Sequence, residues 1–315
     1  MNANLADPND VTAAAARFAA AGLCGGGPGG ARGPMPEGSL SAGHYVGAAD
    51  CRIADAKDGA QATYDGTLTA TLLDRELVQA VLPPQARLAA PKTPSWTRHP
   101  VLCLMGRQND PCALVGGQVQ TIPTARPYNE LILLIPYTVH VGLERWHSFA
   151  ARMYLDDIAA TAIGDLAYAY SKLLGEFDLT GSSAQVISLG RTVYEIENDD
   201  GDDDGSGAAP VWMADAQARQ QLPGYEAARQ VMDMPIIGYS GLYGYVRSFF
   251  EWDRSQAEVA ATRCVFRFNQ ACRPGMQPWV ALGFLETAPH AAFRVRKVRW
   301  RLSTKFPDQT LWGPA

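Results

Sequence analysis

The chain has 315 residues, of which 47% are hydrophobic and 19% are charged, the composition of an ordinary globular protein with a sizeable core. Its formal net charge of −5 argues against a nucleic-acid-binding protein, because such binding relies on Lys and Arg neutralising phosphates. No apolar run approaches the ~18 residues of a membrane-spanning helix, so we expect no membrane association.

The cysteines and the N-terminus indicate a cytoplasmic protein. Six cysteines are scattered along the chain without a Cys-x-x-Cys pair, and no Cys/His spacing fits zinc. The N-terminus lacks the basic n-region of a signal peptide. We therefore expect a reduced, cytoplasmic protein without a metal site.

Residues 1–43 have the pattern of an N-terminal arm. Asp10 can cap a short Ala-rich helix at 11–21, and a Gly-rich stretch follows at 25–30. This stretch contains no Gly-Lys-Ser/Thr and follows no strand, which favours a flexible linker over a phosphate-binding loop. The sequence therefore predicts an arm at 1–43 and a single domain at 44–315.

Strand patterns dominate the rest of the chain. In chain order they predict strands at 67–73, 101–105, 117–122, 131–139, 185–189, 192–196, 265–268, 280–285 and 293–302. Helices are predicted at 74–81 and from Asp156 or Asp157 to at least Ala167. The alternation in the last strand changes phase at Arg296-Lys297, which indicates a β-bulge. Many strands with few helices predict a mainly β (α+β) fold, a barrel or sandwich with attached helices.

An acidic segment at 199–205 contains the Asp-x-Asp-x-Asp-Gly core of a calcium loop. The twelfth position counted from Asp200 is Val211, where a bidentate carboxylate is needed, and the flanking patterns are strand-like. This favours a solvated loop between strands over a calcium site.

Lys172 and Glu130 stand out because they are charged residues in apolar surroundings. Lys172 lies in an apolar and aromatic run at 153–175, where an ammonium tends to lose its proton and become a nucleophile toward carbonyl carbon. The alternative is a helical lysine whose ammonium reaches solvent. Glu130 directly precedes the apolar strand pattern at 131–135. A carboxylate there is either a proton-transferring group at the mouth of a pocket or a solvated charge at the end of a strand.

Two motifs, in this order, resemble acetoacetate decarboxylase and its superfamily. The first is Tyr128-x-Glu130-x-x-x-x-Ile135-Pro136. The second runs from Met153-Tyr154-Leu155-Asp156 through Ala160-x-Ala162-x-Gly164 to Ala169-Tyr170-x-Lys172-x-Leu174-Gly175. Together they cover about fifty residues, with weaker similarity upstream at 69–83 and downstream to near Leu302.

The resemblance implies an acetoacetate-decarboxylase-like antiparallel β-barrel or cone with peripheral helices, assembled as a homo-oligomer. It places the family's Schiff-base lysine at Lys172 and its active-site glutamate at Glu130, facing each other inside the barrel. It implies a small-molecule keto substrate and neither a metal nor an organic cofactor.

The chain also departs from the family pattern. The family's second lysine is Leu173 here, an upstream Arg associated with the substrate carboxylate aligns with Tyr64, and a further acidic position is Cys103. We expect Leu173, Tyr168 and Tyr170 to desolvate Lys172 in place of the missing cation. With Tyr64 and Tyr128, these three are the candidate substrate-binding residues.

The resulting functional prediction is a lyase that forms a Schiff base between Lys172 and a keto acid or ketone. Either decarboxylation or C–C bond cleavage or formation would follow. The first alternative is an aldolase-dehydratase or cyclase of specialised metabolism that acts on a larger keto substrate. The second is non-covalent binding or cyclisation of a hydrophobic metabolite, in which Lys172 is only structural. A pure interaction module would instead have a barrel interior filled by side chains.

Overall fold

The computed structural model describes residues 40–49, 59–121, 125–141, 143, 145–167, 170, 172–180, 183–188, 190–198, 210–240, 244–268, 285–287 and 291–303. The predicted helix at 11–21, the side chain of Tyr168 and the acidic segment at 199–205 lie outside these residues. Of the predicted arm, the described part begins at Leu40, which is fully buried and accepts a hydrogen bond from the Tyr137 hydroxyl.

Strands make up most of the described structure. They are β1 (Gly59–Asp74), β2 (Ala86–Leu88), β3 (Arg98–Val115), β4 (Gln118–Thr121), β5 (Tyr128–His140), β6 (His147–Leu155), β7 (Lys172–Leu174), β8 (Glu176–Thr180), β9 (Ser183–Ser188), β10 (Arg191–Asn198), β11 (Met213–Ala214), β12 (Ile236–Ser240), β13 (Gly244–Ser248), β14 (Phe250–Asp253), β15 (Glu258–Ala261), β16 (Cys264–Phe268), β17 (Leu285–Thr287) and β18 (Ala291–Ser303). The helices are α1 (Arg75–Val81), α2 (Ile158–Ala167), α3 (Asp215–Gln221) and α4 (Tyr225–Met232), with a short 3-10 helix at Ala42–His44.

The predicted mainly β, α+β class is confirmed. Helix α1 begins after Asp74, whose carboxylate accepts from the Glu76 N–H, and in the first turn of α2 the Asp157 carboxylate accepts from the Ala160 N–H. The predicted strand at 280–285 falls on the described residues only at Leu285. Strands β2, β6 to β8 and β11 to β15 and helices α3 and α4 are absent from the sequence-based prediction.

The strands form two sheets. The large sheet has the order β11-β15-β18-β1-β3-β5-β6-β12-β13, with β14 on β18, β2 on β5, β4 on β3 and β7 on β6. The small sheet has the order β17-β16-β10-β9-β8. The expected barrel is corrected in two respects. Among the described strands the large sheet is not closed, since it ends at β11 and β13, and β6 pairs in parallel with both β7 and β12.

The predicted bulge in β18 is confirmed and lies beside the site described below. Tyr64 pairs with Val298 and Gly66 with Val295, so Asp65 alone faces both Arg296 and Lys297. The Asp65 carboxylate accepts from the Lys297 N–H at 2.6 Å, and Lys297 has a left-handed φ of 61°. The extra residue changes which side chains point inward, and Val298, Trp300 and Leu302 are all buried.

The largest apolar cluster packs between the central strands of the large sheet and helix α4. It includes Leu68, Leu104, Leu134, Met232 and Trp300. None of the helices within the described ranges is both long and apolar enough to span a bilayer.

Candidate active site

A small cavity lies inside this core, lined by the inward faces of several strands. Successive alternate residues of β5 line it, namely Tyr128, Glu130, Ile132 and Leu134. This follows from the two-residue period of a strand, which turns every second side chain to the same face. The cavity encloses about 40 Å³. A bound water needs about 10–15 Å³ of cavity volume, so this cavity has room for about three heavy atoms.

The two charged residues singled out by the sequence meet in this cavity. Lys172 Nζ lies 3.1 Å from Glu130 Oε1, and the two side chains are only 13% and 6% exposed. Lys172 is the first residue of β7, next to Met153 of β6. The alternative of a helical lysine reaching solvent is therefore wrong, because the ammonium points from a strand into a nearly buried ion pair.

Helix α2 packs directly over the Lys172 side chain. A Cβ at Gly164 would lie 2.2 Å from Lys172 Cδ and 2.5 Å from Cε, far inside ordinary contact. A side chain at residue 164 would occupy the space through which the Lys172 side chain reaches Glu130, so this position requires glycine.

Glu130 is held from its other side by a hydrogen-bond chain that the sequence analysis missed. Gln108 Nε2 donates to Glu130 Oε2 at 2.9 Å, and Trp300 Nε1 donates to Gln108 Oε1 at 2.8 Å. The indole N–H can only donate, so it fixes which end of the Gln108 amide faces the carboxylate. The Glu130 carboxylate therefore receives a hydrogen bond on each oxygen.

Three predicted tyrosines also line the cavity: Tyr64, Tyr128 and Tyr170. The Tyr64 hydroxyl donates to the Thr67 carbonyl at 3.2 Å, and the Tyr170 hydroxyl donates to the Ile236 carbonyl at 3.4 Å. Burial raises the pKa of both phenols above its usual value. Both phenols therefore line the cavity in their neutral form.

Tyr64, which the sequence resemblance aligns with a carboxylate-binding Arg, thus lines the cavity as a neutral phenol. The described residues that line this cavity include no arginine, and its charged groups are Lys172 and Glu130.

Leu173 does not join the other predicted site residues. It follows Lys172 on the same strand, so its side chain points to the opposite face, where it is 37% exposed. It is absent from the lining of the cavity. Lys172 is instead nearly buried among residues around the cavity, including Met153 and Tyr170.

Cys103 also lies away from the cavity. Its thiol is in hydrogen-bonding contact with the Tyr194 hydroxyl at 3.3 Å, and burial raises its pKa to about 12. It belongs to a separate apolar cluster with Tyr194 and Cys264. Across the described ranges, no three His, Cys, Asp or Glu side chains converge as metal ligands.

No protein-family model matches the chain, and no curated protein sequence matches it. Solved structures do. The structure of acetoacetate decarboxylase from Legionella pneumophila matches with 13% identity and a TM-score of 0.50, covering 87% of this chain and 96% of that one.

Two further matches have TM-scores of 0.47. An acetoacetate decarboxylase-like enzyme from Sphingomonas wittichii RW1 is 16% identical, over 82% of this chain and 98% of that one. The enduracididine biosynthesis enzyme MppR, complexed with the condensation product of pyruvate and imidazole 4-carboxaldehyde, is 14% identical, over 78% and 86%. At 13% identity, the similarity to the Legionella structure is evidence for the fold alone. The chain therefore has a divergent acetoacetate decarboxylase-like fold.

Proposed function

We propose that the protein is a lyase-type enzyme that forms a Schiff base between Lys172 and the carbonyl carbon of a keto acid or ketone. The observation that supports this most is the nearly buried Lys172–Glu130 ion pair beside a cavity. Such a pair places a nucleophile and a proton-transferring group within one hydrogen bond of each other.

Glu130 gives Lys172 a route to its neutral form. Transfer of one proton across the 3.1 Å contact leaves a neutral amine and a neutral carboxyl group. The amine then adds to the carbonyl carbon, and the carboxyl proton passes to the carbonyl oxygen while the nitrogen returns a proton to Glu130. Glu130 then protonates the carbinolamine hydroxyl group, and loss of water gives the iminium. In sum, ammonium and carbonyl become iminium and one water, and Glu130 ends as a carboxylate.

The iminium is an electron sink for the bond that breaks next. It accepts the electron pair left by loss of CO2 or by C–C cleavage and becomes an enamine. In the reverse direction, the enamine carbon attacks an aldehyde and forms a C–C bond. In C–C cleavage, the Glu130 carboxylate, hydrogen-bonded to Gln108, takes the proton of the β-hydroxyl group and passes it to the enamine carbon. In decarboxylation, it passes on a proton taken from water. Both outcomes therefore use the same two residues, and the rest of the substrate decides between them.

Reductive trapping tests the proposal. The protein is incubated with acetoacetate, pyruvate or a methyl ketone, and sodium borohydride reduces any iminium to a stable secondary amine. We expect a mass increase that peptide mapping assigns to Lys172. The Lys172→Ala variant should lose the adduct. Lys92 is exposed, so Lys92→Ala serves as the control and should retain it.

The outcomes separate the candidate functions. An adduct on Lys172 that requires Glu130, shown by slower trapping in Glu130→Gln, supports the mechanism. Absence of an adduct with every carbonyl compound, in protein whose folding is verified by circular dichroism, overturns it. Binding of a hydrophobic metabolite without any adduct would then favour the non-covalent alternative.

A further inference from the structure

A second, larger cavity lies on the other side of Lys172. It encloses about 190 Å³ between the start of β1, the C-terminal part of β3 and helix α2. It shares Tyr128, Lys172, Trp300 and Leu302 with the first cavity, so the lysine stands at the junction of the two. We call the first the inner cavity and the second the outer cavity.

The outer cavity has mostly small and apolar walls. Ala113 of β3 and Ala160 and Ile163 of α2 contribute to them. Ile163 is 45% exposed, so the cavity reaches the surface at this point. Concave sites with predominantly apolar walls are typical of small-molecule binding sites.

The charged groups of the outer cavity, apart from Lys172, do not favour a polar occupant in its interior. The Asp157 carboxylate is engaged in capping α2, where Oδ1 accepts from the Ala160 N–H at 2.7 Å. Arg126 is exposed and lies at the rim. The space next to Lys172 is therefore bounded mainly by carbon.

We propose that the substrate is a ketone or keto acid with one small and one extended apolar substituent, and that the outer cavity binds the extended one. The proposal rests on the proposed function, since it takes the carbonyl carbon to be bonded to Lys172 Nζ. The inner cavity then accepts the small substituent, because it holds only about three heavy atoms. The outer cavity has space for about a dozen or more, enough for an alkyl or aryl group.

Straight-chain methyl ketones, from methyl ethyl ketone to methyl hexyl ketone, test the proposal. Each condenses with the Lys172 amine to give an iminium and water, and borohydride hydride then reduces the iminium carbon. The concentration dependence of trapping gives an apparent Kd for each ketone. Each added methylene should lower this Kd about fourfold, or about 250-fold across the four methylenes of the series.

Two variants of one helix provide the matched comparison. Ala160 faces the outer cavity, whereas Ala162 is exposed and does not line it. In Ala160→Leu the added side chain fills the cavity, and the preference for methyl hexyl over methyl ethyl ketone should fall at least about tenfold. In Ala162→Leu the preference should stay at the wild-type value.

The results distinguish failure of the inference from failure of the proposed function. Adducts on Lys172 with no dependence of Kd on chain length, or equal effects of the two Leu variants, overturn the outer-cavity inference and leave the Schiff base standing. No adduct with any ketone overturns the Schiff base and the inference with it. The wild-type series does not depend on the folding of a variant, so the inference remains falsifiable if Ala160→Leu is unstable.

Discussion

Replacement of Gly164 by alanine should separate catalysis from stability. The new Cβ would lie 2.2 Å from Lys172 Cδ, whereas ordinary contacts begin near 3.4 Å. Something must therefore move by more than about 1 Å. The Lys172 atoms are the far part of a flexible side chain, so the lysine gives way before the helix does.

The expected effect on the reaction is large. Displacement by this amount breaks the 3.1 Å contact between Lys172 Nζ and Glu130, and misplacement of a reacting group by about 1 Å can cost on the order of 100-fold in rate. The effect on folding is small. Gly→Ala within a helix stabilises by about 1 kcal/mol, which offsets much of the about 1–3 kcal/mol cost of overpacking.

The assay is the rate of borohydride trapping, with urea unfolding measured on the same preparation. The control is Gly43→Ala, where the added Cβ meets only Ser41 Oγ at an ordinary 3.5 Å. We expect Gly164→Ala to lose about 100-fold in trapping rate with a free energy of unfolding within about 2 kcal/mol of wild type. A trapping rate within about threefold of wild type would refute the claim that this glycine positions the lysine.

Two further predictions concern groups that the sequence did not assign. Trp300→Phe removes the N–H donor that orients Gln108, so borohydride trapping at Lys172 should slow about tenfold. The circular dichroism spectrum should stay unchanged. An unaltered trapping rate would argue against a role for the hydrogen-bond chain. His99 is buried, and burial lowers its pKa to about 3, whereas the unfolded value is near 6.5. Only the unfolded state therefore gains this proton as the pH falls from about 6.5 to 3, which costs the wild type about 1.4 kcal/mol of stability per pH unit. The His99→Gln variant should lose this pH-dependent part of the free energy of unfolding. The difference in that free energy between wild type and variant, measured by urea unfolding, should therefore change with pH. A constant difference would contradict the lowered pKa of His99.

The strand-based part of the fold was predictable because its signal is local. Local strand patterns located β1, β3, β5 and β18 of the large sheet, and the change of phase at Arg296-Lys297 located the bulge, which in the structure lies opposite Asp65. Helices α3 and α4 were missed. They are seven and eight residues long, and α4 is defined by tertiary packing of residues such as Tyr225 and Val231 rather than by a long periodic pattern.

The site was predictable to the extent that motifs marked it. The resemblance identified Lys172 and Glu130, which form the ion pair, but nothing marked Gln108 or Trp300. Their contacts span 22 and 192 residues along the chain, a separation that no local pattern encodes. A usable signal for Gln108 was its place four residues after Leu104, on the same inward face of an apolar strand, where a polar residue requires a buried partner.

The replacement of the family's second lysine by Leu173 has less consequence than its sequence position suggests. Consecutive residues of a strand point to opposite faces, and Leu173 is indeed exposed on the far side of β7 from the inner cavity. In this chain a cation at 173 would therefore extend away from the Lys172 ammonium. Glu130, by contrast, is in direct contact with Lys172 Nζ. Leu173→Lys, which restores the cation, should accordingly leave the trapping rate unchanged, whereas Glu130→Gln should lower it. The opposite result would indicate that residue 173, and not Glu130, activates Lys172.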